Sequence, residues 1–69
     1  MSLLKALKGC IGKRCVVVHN EGESTHTIVG TLTDADEDVL TIITDYGVRN
    51  ILPIKQILKV KEIRDEGVR

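Results

Sequence analysis

The chain has 69 residues, enough for one small domain, and a domain of this size usually needs a disulfide, a metal or self-association to supplement its core. Ten Lys and Arg balance ten Asp and Glu, and Tyr46 is the single aromatic residue. The neutral balance lacks the basic excess usual in nucleic-acid binders, and packing has to come from Val, Ile and Leu.

The charge is unevenly spread. Residues 1–20 carry +4, residues 21–46 carry −7 and residues 47–69 carry +3, so the two ends can still build a basic face. Cys10 and Cys15 are too few for a secreted disulfide framework and are not spaced as Cys-x-x-Cys. The start, "MSLLKALKGCIGK", has no long apolar core or small-residue cleavage site, and no run approaches a membrane span. These features point to a reducing cytoplasm and no membrane association.

In chain order, Ser2 is positioned to cap a helix over about residues 2–11, with Leu3, Leu4, Leu7 and Ile11 near helical spacing and Gly9 or Gly12 ending it. "KRCVVVHN" is β-branched and predicts a strand. "EGES" predicts a turn. "THTIVGTLTDAD" alternates, with Ile28 and Leu32 on one face and Thr25, Thr27, Val29 and Thr31 on the other. Gly30 inside it predicts a bulge or sharp bend.

"DADED" predicts the next turn. Asp34, Asp36 and Asp38 match the opening of an EF-hand calcium loop. The required Gly is replaced by Val39, however, and the twelfth position is Asp45 rather than Glu. The acids therefore predict a solvated hairpin tip and no calcium. "VLTIIT" is a third strand, "DYG" a turn and "VRNIL" a fourth strand. Pro53 interrupts the run before a last strand, "ILKVKEI". Residues 64–69 are charged and expected to fray. The expected architecture is mainly β: one domain over 1–69, with a short N-terminal helix followed by a five-stranded, strongly bent barrel over about 13–63.

The order of elements, together with Gly30-Thr31-Leu32 followed by Asp36, resembles the Sm-like family of Sm, LSm and Hfq proteins. Those residues fit the Gly-x-Leu-x-x-x-Asp pattern of the first Sm motif, and "LPIKQI" with Ile57 and Val60 fits the late turn and last strand. Leu3-Leu4, Gly12-Lys13 and Gly30-Thr31-Leu32 are also similar in layout to small Sm-like proteins of unknown role from spore-forming bacteria. The resemblance implies an SH3-like barrel that forms homo-oligomers through its late strands. Gly30, Leu32 and Asp36 then have structural roles. Leu40 stands where RNA-binding Sm proteins have Asn, and Pro53-Ile54 stand near the place of the Arg-Gly pair. Of the Hfq Lys-His pair only Lys55 has a counterpart.

The candidate sites follow from these readings. RNA contacts would fall to Lys55, Arg49, Lys59 and Lys61, helped by the N-terminal Lys5, Lys8, Lys13 and Arg14, with Tyr46 available to stack on a base. Cys10, Cys15, His19 and His26 are the residue types that zinc prefers, but their spacing is no finger pattern, so they read as packing cysteines and surface histidines. Cys15 and His19 stand two pleats apart on one strand face, too far for a thiolate–imidazole pair. No Gly-rich phosphate loop is present. The chain reads as a non-enzymatic module that takes no cofactor. It assembles with itself and serves a protein partner, or else binds RNA weakly and without sequence preference.

Overall fold

The computed structural model describes residues 3–64. It comprises a helix α1 (Leu3–Lys8), strands β1 (Arg14–Glu21), β2 (Ser24–Ala35), β3 (Val39–Thr44) and β4 (Arg49–Pro53), a 3-10 turn (Ile54–Gln56), and strand β5 (Ile57–Glu62). The expected Ser2 cap and most of the expected frayed tail lie outside the described residues. The helix is shorter than the apolar spacing implies, because only Leu7 of its stripe is buried, while Leu3 and Ile11 are exposed. The chain leaves it through a turn in which the Cys10 N–H donates to the Leu7 carbonyl and the Lys13 N–H to the Cys10 carbonyl.

Five strands form one antiparallel sheet in the order β4-β3-β2-β1-β5. β1 and β2 meet in a two-residue loop, since Glu21 pairs with Ser24. Gly22 opens that loop with φ of +66°, the left-handed conformation that such a hairpin asks of its first residue. One face of the sheet carries the core of Cys15, Val17, Leu32, Leu40 and Ile42, closed by Leu7 and Ala35. Alternation along the strands sends Val16, Val18, Thr31, Thr41 and Ile43 to the other face.

The bulge that the sequence allows at Gly30 is not found there. No register shift occurs there: Gly30 pairs with Cys15 on one side and Thr44 on the other. A Cβ at this position would run into the Ile43 carbonyl of β3, so the glycine permits close approach of two backbones. The irregularities fall instead between Leu32 and Asp34 on β2 and between Val18 and His19 on β1.

The expected barrel does not close. β4 and β5 occupy opposite edges of the sheet, whereas closure requires the outermost strands to pair. Pro53 ends β4, and the 3-10 turn carries the chain across to β1, whose free edge β5 takes. Among the described residues, the outer edge of β4 is thereby left without a partner strand.

Candidate functional site

Neither outer strand, β4 or β5, contains a fully buried residue. On β4, Asn50 and Leu52 lie opposite Ile42 and Leu40 on the core face, so Arg49 and Ile51 face outward. Ile51 is 59% exposed. On β5, Ile57 and Val60 pack against the core, while Lys59 and Lys61 lie opposite Val18 and Val16 on the outer face. Leu58 sits at the register shift between them and is 56% exposed. Each edge thus presents an apolar side chain beside unpaired backbone. Sequence reasoning did not single out Ile51 or Leu58, although both lie in runs already read as strands.

The residues read as RNA contacts are not gathered into one patch. Pairing places Arg49, Lys59 and Lys61 on the same face, but at opposite edges. Four interstrand spacings separate those edges, about 19 Å across a flat sheet. Lys55 is exposed on the 3-10 turn. Tyr46 projects from the β3–β4 turn, 83% exposed. Of the N-terminal bases, Arg14 pairs with Asp45 and Lys13 lies 3.9 Å from Glu62. The bidentate contact from Arg14, with Nε and Nη2 each donating to Asp45, holds that carboxyl below its ordinary range and ties the β3–β4 turn to β1.

The four zinc-type residues separate into two pairs. His19 and His26 face each other across β1 and β2, with ring centroids 5.8 Å apart and planes inclined by 26°. The Nε2 of His26 lies 3.4 Å from Glu21 Oε1. Cys15 is fully buried four residues before His19, and the Cys10 thiol is its neighbour. Four residues of strand span about 13 Å, so one ion cannot be shared by both pairs. Among the described residues no group of three or more His, Cys, Asp or Glu side chains is placed to hold a metal.

The acidic turn has a defined internal structure. Asp36 Oδ1 accepts the N–H groups of Asp38 at 2.8 Å and Val39 at 2.9 Å, while the Asp36 N–H donates to the Val39 carbonyl at 2.9 Å. These bonds, the one from Val39 foremost, hold the Asp36 carboxyl below its ordinary value of 3.8. Asp34 Oδ1 accepts the N–H of Ala35. Asp36 is thus a turn-closing residue. Leu32 is fully buried, and Gly30 lies at the close approach of β3. No helix among the described residues is long and apolar enough to cross a membrane. Compared with known proteins, the chain matches no protein-family model and no curated protein.

Proposed function

We propose that this chain is a non-enzymatic, self-assembling Sm-like adaptor or structural module. The β4 edge of one copy pairs with the β5 edge of the next, and the assembled surface receives a protein partner. The carrying observation is the pair of outer strands at opposite edges of one sheet, each bearing an exposed aliphatic side chain, Ile51 and Leu58. Unpaired edges template strand addition. The two edges differ in sequence, so the contact is heterologous and propagates into a ring or an open filament. The Sm-like reading is supported by the order of elements and by the placement of Gly30, Leu32 and Asp36. A small core supports association: among the described residues, seven apolar side chains are buried, and two of these are Ala35 and Cys15.

Mixing two edge variants tests this reading. Ile51→Lys places a charge in the β4 contact and Leu58→Lys in the β5 contact. Each variant alone should remain a single chain, and an equimolar mixture should form a one-to-one dimer, because each supplies the edge the other lacks. Failure of the mixture to associate, or assembly by either variant alone, contradicts the heterologous contact.

A second reading, weak and sequence-indifferent RNA binding, is favoured by the exposed Tyr46 and the outward Arg49, Lys59 and Lys61. Contacts made only to phosphates weaken steeply with salt. Filter binding of homopolymer RNAs should then show similar affinities that vanish by several hundred millimolar salt. Tight uridine- or adenine-selective binding that survives such salt would contradict it.

A further inference from the structure

Cys10 and Cys15 have no part in the edge contact, yet the fold brings them together. Cys10 closes the turn after α1, where its carbonyl accepts the Lys13 N–H at 3.0 Å, and two residues later the chain enters the sheet at Cys15. The Cys15 thiol donates to the Lys13 carbonyl at 3.6 Å, and the Cys10 side chain lies close enough to perturb it. Cys15 belongs to the core, and Cys10 is half-buried against it. The two sulfurs therefore share one small environment between the helix and the first strand.

We propose that Cys10 and Cys15 are a redox site: they form a reversible intramolecular disulfide by exchange with a small disulfide of the glutathione class, latching the end of α1 to β1. Cys10 is the entry thiol, because Cys15 is fully buried. The Cys10 thiolate attacks one sulfur of the small disulfide. That S–S bond breaks, a Cys10 mixed disulfide forms, and the departing thiolate takes up a proton. Cys15 then loses its proton to water and attacks the Cys10 sulfur, expelling the second small thiol. Two protein thiols are oxidised by two electrons, and one small disulfide is reduced to two thiols.

The environment of Cys15 makes the second step the slow one. Burial foremost, with Cys10 and Glu62 adding to it against an opposing Lys13, pushes this thiol up to about 11. Little thiolate is present near neutral pH, and exchange proceeds through the thiolate. A pair of this kind stays reduced in a reducing compartment and closes under oxidation, the usual pattern of intracellular disulfides.

Intact-mass spectrometry of the folded protein in a glutathione redox buffer tests the site. Wild type should lose two hydrogens without gaining an adduct or joining a second chain. Lys13 and Arg14 lie between the cysteines, so trypsin should release two peptides joined only by the bond. Closing so short a loop should raise the Tm by roughly 5–10 °C. Cys15→Ser should instead stop at a stable glutathione adduct on Cys10. Persistent adduct on wild type, disulfide-linked chains, or no oxidation at all would each overturn the proposal. All three are read on wild type, so they stand even where the variant does not fold. None depends on whether the chain self-assembles.

Discussion

Asp36 shows how one carboxylate serves the fold. Its Oδ1 accepts two backbone N–H groups of the β2–β3 turn, a bond pattern that Asn reproduces and Ala does not. Asp36→Asn should leave the Tm within a degree or two, and Asp36→Ala should lower it by several degrees. Calcium should change neither. Because folding holds this carboxyl below 3.8, its stabilising contribution is complete above that pH and is lost as the pH falls through the lower folded value. The Asn variant accepts both bonds at every pH and should therefore overtake wild type in acid. Thermal melts from pH 2 to 7 check the sign, and a gap that widens in favour of wild type on acidification would contradict the assignment.

Among the elements, α1 is anchored by Leu7, with Leu4 half-buried against the core beside it. Leu7 is 2% exposed and meets the core, whereas Leu3 is 52% exposed. Leu7→Ala should cost about 3 kcal/mol in denaturant unfolding, while Leu3→Ala should stay within about 0.5 kcal/mol. Equal effects would show that the helix packs by another face. The same contrast explains what the sequence made legible. Strands appeared wherever β-branched residues ran between turn residues, as in "VLTIIT". Local pattern fixes strand and turn through each residue's own backbone preferences. It does not reveal which edges meet, so the expected barrel became an open sheet with β4 and β5 at opposite sides. A glycine inside a strand predicts a bulge or sharp bend, whereas the close approach at Gly30 depends on Ile43 of a later strand. The Arg14–Asp45 pair and the Cys10–Cys15 contact are likewise products of tertiary folding, beyond the reach of spacing alone.

At the scale of the whole molecule, the core lies on one face of a single sheet, and among the described residues both sheet edges are open. The neutral net charge removes the long-range repulsion that would keep copies apart, and Lys59 and Lys61 on β5 restrain indiscriminate strand addition without closing the edge. In the proposed assembly, unlike edges would satisfy the backbone of β4 and β5 and cover Ile51 and Leu58 in one step. Sedimentation equilibrium of the wild-type protein, with folding checked on the same samples, tests this most directly. Wild type should sediment with the mass of several chains at micromolar concentration, and Ile51→Lys should reduce this to one chain. A well-folded wild type sedimenting as a single chain across that range would contradict it.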